Sequence, residues 1–104
     1  MAVKLIFAPE SALDIDAAYA WYEQQRVGLG EEFLTCLEAK LESVCRAPSI
    51  HEFVYKSFRR ALIRRFPYQA FYEFDRNTVT VFCVFHSSQD PDKWKERLDG
   101  VRNS

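Results

Sequence analysis

No stretch of this chain approaches the roughly 18 consecutive apolar residues that a membrane-spanning helix requires, and its N-terminus lacks the charged-then-apolar pattern and small-residue cleavage site of a secretory signal. These absences predict a cytoplasmic protein without a membrane partner. Cysteine is scarce. Cys36, Cys45 and Cys83 are an odd number, and the first two lie in one helical pattern about 13.5 Å of rise apart, beyond disulfide reach. They read as reduced, buried filler. The two histidines, His51 and His86, stand alone, and neither CxxC nor HxxxH occurs. Without metal-ligand spacing, no metal and no cofactor is expected. A charge excess is missing too: 14 Lys and Arg face 15 Asp and Glu, a formal net charge of −1. That balance gives little long-range steering toward nucleic acid. Repeats, linkers and low-complexity segments are absent as well, so residues 1–104 are expected to form one domain.

What is present is apolar mass and a lopsided charge. The 104 residues are 48% hydrophobic and 15% aromatic, which supports a real core and excludes disorder. Residues 1–45 carry 3 basic and 8 acidic groups, whereas 46–104 carry 11 and 7. Within the second part, Phe53 to Phe66 holds Lys56, Arg59, Arg60, Arg64 and Arg65 and no acid. This block is the best lead to function, because five cations in a strand-like stretch suit an acidic partner or phosphate chemistry. The plainer reading is that charged residues on an edge strand keep it soluble and block edge-to-edge pairing.

The pattern of elements follows from period and punctuation. Val3–Phe7 reads as a short strand ended by Pro9, and Ser11 is placed to cap a helix whose stripe is Ala12, Ile15, Tyr19 and Tyr22, with Ala18 beside it. That helix should end near Val27, with Gly28 left-handed beyond it. Gly30, Glu31 and Glu32 then open a second helix, with Phe33, Leu34, Leu37, Leu41, Val44 and Cys45 on one face and Pro48 past its end. Phe53–Tyr55, Arg60–Phe66, Tyr68–Phe74 and Val79–Phe85 change to strand period, with short links that imply antiparallel pairing. Alternation along the last strand puts Val79, Val81, Cys83 and Phe85 on one face and Thr80, Phe82, Val84 and His86 on the other. In Arg60–Phe66 both faces mix charge with apolar groups, so the side taken by the arginines stays open. Asp90 caps a short C-terminal helix with Pro91 at its first position and Trp94, Arg97 and Leu98 along it. Trp21, Tyr19 and Tyr22 read as helix-packing groups, and Tyr68 and Tyr72 as sheet-packing ones. The fold class is therefore α+β: an N-terminal strand, a helical hairpin, an antiparallel sheet and a short C-terminal helix.

Several strings carry a likeness to a known family. Ala17-Ala18-Tyr19-Ala20-Trp21-Tyr22-Glu23, Gly28-Leu29-Gly30-Glu31-Glu32-Phe33, Arg59-Arg60-Ala61-Leu62, Arg65-Phe66-Pro67-Tyr68, Phe71-Tyr72, Val84-Phe85-His86, Asp90-Pro91 and Trp94-Lys95-Glu96-Arg97 follow in an order and spacing that resembles the RelE/ParE toxin superfamily. The likeness spans nearly the whole chain. It implies the toxin half of a type II toxin–antitoxin (plasmid stabilisation) system and a cognate antitoxin, which wraps such a toxin with a helix and often adds a strand to its sheet.

The superfamily holds two chemistries, RelE-type ribonucleases that cut mRNA on the ribosome and ParE-type proteins that poison DNA gyrase by binding. Metal-free RNA cleavage needs a base for the 2′-hydroxyl, cations for the phosphorane and an acid for the leaving oxygen. The candidates are His86, whose side-chain type titrates near neutrality, with Arg60 and Arg65 as the cations. A plain packing or capping role is the simpler account of His86. Gln69 stands where RelE-like ribonucleases usually carry an arginine, and Ser87-Ser88 follow His86 where such enzymes place a tyrosine or other catalytic side chain. The C-terminal extension and the Phe66-Pro67-Tyr68 motif look more ParE-like. The leading expectation is a gyrase-type inhibitor whose antitoxin covers Lys56, Arg59, Arg60, Arg64 and Arg65. The alternatives are a ribosome-dependent endoribonuclease and an inactive binding module.

Overall fold

A computed structural model describes residues 3–102 of the chain. The order is β1 (Lys4–Phe7), α1 (Pro9–Gln25), α2 (Leu29–Arg46), β2 (Phe53–Tyr55), β3 (Phe58–Leu62), β4 (Tyr68–Asp75), β5 (Thr78–His86) and α3 (Pro91–Arg102). The strands form a single sheet in the order β1-β5-β4-β3-β2. β2 through β5 make the expected antiparallel meander, while β1 pairs with β5 in parallel, so the sheet is mixed. The β4–β5 turn is tight because Arg76 and Asn77 both take positive φ, 50° and 60°, the conformation that two-residue hairpin loops need.

α1 begins earlier than the position of Ser11 suggests. Pro9 occupies the first turn, where its missing N–H costs nothing, and buried Ser11 instead donates its hydroxyl to the Ala8 carbonyl at 2.7 Å. The helix closes at Gln25. Gly28, at φ 92°, is left-handed as expected, but it serves as the residue before α2 rather than as the end of α1. Gly30 is the crossing point of the hairpin: a Cβ there would lie 2.8 Å from Glu23 Cγ and 2.9 Å from the Tyr19 ring. The Glu23 carboxylate uses that closeness to accept the Gly28 and Gly30 N–H groups, at 2.9 and 2.8 Å. Two of α2's free N-terminal donors are thereby satisfied.

The hairpin packs on one face of the sheet. Phe33, Leu37, Leu41 and Val44 of α2 meet Ala61, Ile63, Ala70, Tyr72, Val79, Val81 and Val84, joined by Ala18 and Tyr22 of α1. Each large side chain of this cluster contributes about 1.5–3 kcal/mol by leaving water. α3 covers the opposite face through Trp94 and Leu98, which close over Phe58, Phe71, Cys83 and Phe85. The Trp94 indole stacks on Phe71 with centroids 4.4 Å apart.

The face assignment along β5 corrects simple alternation. Phe71 pairs with Cys83 but Tyr72 pairs with Val81, so Phe82 is an extra residue and a bulge reverses the side-chain order there. Val79 and Val81 share the hairpin face with Val84, while Cys83 and Phe85 face α3. Cys36, Cys45 and Cys83 are free thiols, the first two half-buried and the third buried. Burial, with the nearby Asp14 carboxylate, pushes the Cys83 thiol up to about 12, which keeps it protonated and inert.

Candidate functional site

The five cations of the Phe53–Phe66 block do not form one patch. Lys56 sits at φ 52° in the β2–β3 turn and donates to Asp99 of α3 at 2.6 Å. Tyr55 binds the same carboxylate through its hydroxyl, and both contacts hold Asp99 below the usual carboxylate range. Arg59 turns toward the end of α2. It donates to the carbonyls of Ser49 and His51 and lies over the Phe53 ring at 3.9 Å. Arg60 alternates to the opposite face, where its register partner is Phe71, and reaches Glu52 at 3.7 Å. Arg65, left-handed at φ 70°, pairs with Glu32 of α2 at 3.1 Å. The acids missing from the block are thus supplied by α3, by α2 and by Glu52, the residue just before it.

Arg64 is exposed and makes no ion pair among the described residues, and neither does Lys40 of α2. Lys40 and Arg64 line one hollow of about 470 Å³ with Cys36, Ser43 and Arg65. Lys40 and Arg60 line a second, of about 360 Å³, with His51, Leu62 and the one acid Glu52. These cations make a strip beside β3, along which β2 reaches only as far as Arg59. Leu62 and Ile50, 57% and 74% exposed, add apolar surface to it. Lys40 lies on the flank of the Leu37–Leu41–Val44 stripe; its sequence position signals exposure but not its neighbours.

His86 lies on the hairpin face. It is the register partner of Tyr68, and the two rings meet edge-to-face at 5.1 Å. The backbone N–H of Ser88 donates to His86 Nδ1 at 3.0 Å, with the Ser88 hydroxyl 2.8 Å away. A backbone N–H can only donate, so Nδ1 carries the lone pair and the neutral ring holds its proton on Nε2. His86 therefore stands apart from Arg60, which is on the other face, and from Arg65, which is tied to α2. Gln69 is buried, paired in register with Leu62 and Phe85.

Tyr22 is buried among Phe33, Phe66 and Tyr68, as its pattern suggests. Trp21 is not a packing group of the same kind: it is 55% exposed. It overhangs a groove of about 490 Å³ whose lining includes Ala17, Ala18, Tyr68, Val84 and His86. At one end of this groove Asp14 of α1 and Arg97 of α3 form a two-pronged ion pair, at 2.8 and 3.1 Å. The same carboxylate accepts the Val84 N–H at 3.0 Å.

A strand, a helical hairpin and a meander closed by a C-terminal helix define the RelE/ParE toxin fold, and solved structures with it are similar throughout. A chain of the chromosomal ParDE toxin–antitoxin system of P. aeruginosa matches at TM-score 0.61 and 16% identity, covering 82% of this chain and 96% of that one. A chain of the RelBE2 toxin–antitoxin complex of Mycobacterium tuberculosis matches at 0.59 and 16%, covering 83% and 99%. A double mutant of the E. coli toxin RelE in the free state matches at 0.60 and 18%, covering 97% and 99%. No curated protein sequence matches significantly. The model of the family described as the ParE toxin of the type II toxin–antitoxin system parDE matches residues 5–91. The chain belongs to this ParE toxin family. Among the described residues no helix is long and apolar enough to cross a membrane.

Proposed function

We propose that this toxin acts by binding and inhibiting a cellular target, DNA gyrase, in the manner of the ParE-like branch, and that a cognate antitoxin neutralises it in a plasmid-stabilisation or similar locus. The observation that supports binding over cleavage is the dispersal of the ribonuclease candidates. His86 has Nδ1 engaged by Ser88 on the hairpin face, Arg60 is on the α3 face with Glu52, and Arg65 is held by Glu32. A phosphorane needs its cations and its acid–base pair around one phosphorus atom, and these groups do not surround a common point. Support for the antitoxin comes from relatives whose own structures are ParDE and RelBE2 toxin–antitoxin systems. The cationic strip of Arg60, Arg64 and Arg65, extended by Lys40, suits an acidic antitoxin segment lying along the open side of β3. Lys56, exposed but paired with Asp99 of α3, and Arg59, bound to the Ser49 and His51 carbonyls, lie outside the two hollows of this strip.

The test is to induce the chain alone in bacteria, wild type beside His86→Ala, mapping transcript 5′ ends within minutes and assaying purified gyrase for trapped cleavage complexes. Growth arrest with gyrase cleavage, no new ends inside codons and full potency of His86→Ala is expected. New ends abolished by His86→Ala would make the protein a ribonuclease. Unimpeded growth would make it an inactive binding module.

A further inference from the structure

β1 closes one side of the sheet, with β5 as its only neighbouring strand among the described residues. Lys4 and Ala8 donate their N–H groups toward β5, to the Asn77 and Val81 carbonyls. Backbone groups alternate sides along a strand, so those of Ile6 also turn to β5, while the N–H and C=O of Leu5 and Phe7 point outward. Leu5, Ile6 and Phe7 are all exposed. Leu5 and Phe7 share the hairpin face with their register partners Val79 and Val81, whereas Lys4 and Ile6, beside Thr78 and Thr80, share the α3 face.

An open apolar edge is a liability that most sheets blunt. The far edge here is blunted: β2 has three residues, its register shifts between Phe53 and Tyr55, and Glu52 and Lys56 stand at its ends. On β1, Lys4 and Pro9 mark only the two ends and leave three apolar residues between them. Both α1 and α3 pack on β5, so neither helical layer covers those residues.

Three features of this edge match a second copy of the same chain. First, its hydrogen bonding is self-complementary. With two copies antiparallel and Leu5 of one opposite Phe7 of the other, each such pair exchanges both of its bonds, and every outward group of β1 is satisfied. Pro9, which has no N–H, ends the ladder. Secondly, the same register pairs the exposed side chains: Leu5 meets Phe7 of the second copy on the hairpin face, twice, and Ile6 meets its own symmetry mate on the α3 face. Thirdly, the charges agree. Lys4, the one charged residue of β1, falls opposite Ala8 of the second copy, two residues before Glu10. Glu10 is on the same side of the sheet, where it lines a hollow with Ala8, Phe82 and Val101. Neither Lys4 nor Glu10 is in an ion pair within the fold, and Arg97, which also lines that hollow, has both prongs on Asp14. A parallel pairing would instead set Lys4 beside Lys4. An acidic segment would find a single cation on this edge.

We infer that two copies of this toxin associate through β1, antiparallel about a two-fold axis at Ile6, so that their two sheets become one. The pairing lies at the opposite edge of the sheet from the cationic strip. Four residues a side make a small contact, so the dimer is weak, with a dissociation constant of about 10–100 µM.

Analytical ultracentrifugation of the full chain over about 5–500 µM tests this, with Ile6→Arg placing two like charges on the axis. Ile6 is exposed, and melting temperatures verify that the variant folds. Cysteine pairs then read the register. Across the axis the two Ile6 Cα atoms lie about 4.5 Å apart, within disulfide reach, while the two Lys4 Cα atoms lie about 14 Å apart. Expected are a reversible monomer–dimer equilibrium in the wild type, at least about tenfold weaker in Ile6→Arg, and rapid oxidative linkage of Ile6→Cys but not of Lys4→Cys. Wild type oxidised alongside reports any linkage through the native cysteines. A wild type that stays monomeric throughout would overturn the inference. So would a dimer that survives Ile6→Arg, which would place the contact elsewhere, or one that Lys4→Cys links as fast as Ile6→Cys, which would exclude this register.

Discussion

His51 shows how one side chain links the core to the cationic strip. It is half-buried where the chain leaves α2, with Nδ1 3.2 Å from the Tyr72 hydroxyl and its carbonyl held by Arg59. Tyr72 itself is fully buried, donates to the Pro48 carbonyl at 2.9 Å and has its phenol pushed up to about 12 by burial, so it stays a neutral anchor for this corner. Burial lowers the His51 imidazole below its ordinary value, and Lys40 and Arg59 push the same way. The neutral ring is the folded form, whereas the unfolded chain takes up a proton near pH 6.5. His51 therefore supports the fold fully above about pH 6.5, and that support is lost as pH falls toward the lowered folded value. Urea midpoints should drop between pH 7 and pH 5, and His51→Gln should make the drop shallower. Equal drops in the two proteins would show that the loss arises elsewhere. His86 differs in that its hydrogen bonds are with an exposed turn while its ring packs on Tyr68; its Nδ1 acceptor role closes one nitrogen to proton transfer, and only Nε2 is left to meet a partner.

At the scale of elements, the strongest cross-link is Asp14. It ties α1, the β5 edge and α3 together, with side-chain exposures of 14% for Asp14 and 27% for Arg97. Removing the carboxylate strands a backbone donor and a half-buried guanidinium at once, and Asp14→Ala should cost about 2–4 kcal/mol. Asp14→Asn keeps one acceptor and should cost less. Chemical denaturation of both, with Arg97→Ala and the double variant to give the coupling, measures this; an unchanged midpoint for Asp14→Ala would refute the role. This contact was illegible in the sequence, because Asp14 and Arg97 are 83 positions apart and Asp14 lies outside the apolar stripe of α1. The elements themselves were legible, since the change from the helical stripe Phe33–Leu37–Leu41–Val44 to short aromatic strands marks the switch from hairpin to sheet. Two signals misled locally. Ser11 resembled a cap but is displaced from that task by Pro9, and alternation along β5 failed at Phe82 because a bulge leaves no compositional trace. The basic block was legible as a set of cations but not as a surface, because Asp99 and Glu32 arrive from remote helices to engage Lys56 and Arg65, and Glu52, just before the block, turns back to Arg60.

For the whole molecule, the imbalance between an acidic first part and a basic second part becomes spatial. α1, with four acids and no Lys or Arg, borders the Trp21 groove, while Lys40, Arg60 and Arg64 gather beside β3 at the far side of the sheet. A net charge of −1 hides this arrangement. For an antitoxin segment on the strip, Arg60→Glu with Arg64→Glu removes two cations and adds two anions next to exposed Leu62. Arg64 is fully outside the core and Arg60 has only a 3.7 Å contact with an exposed glutamate, so folding should survive the change with about 1 kcal/mol of loss or less. Binding should not survive it: the antitoxin affinity is expected to fall at least about a hundredfold at low salt, with most of the loss disappearing in 0.5 M salt as screening shortens the reach of the charges. Titration calorimetry across a salt series reads both effects. An unchanged dissociation constant at low salt would remove the strip from the antitoxin interface, and a loss independent of salt would assign it to apolar packing around Leu62 and Ile50 rather than to charge.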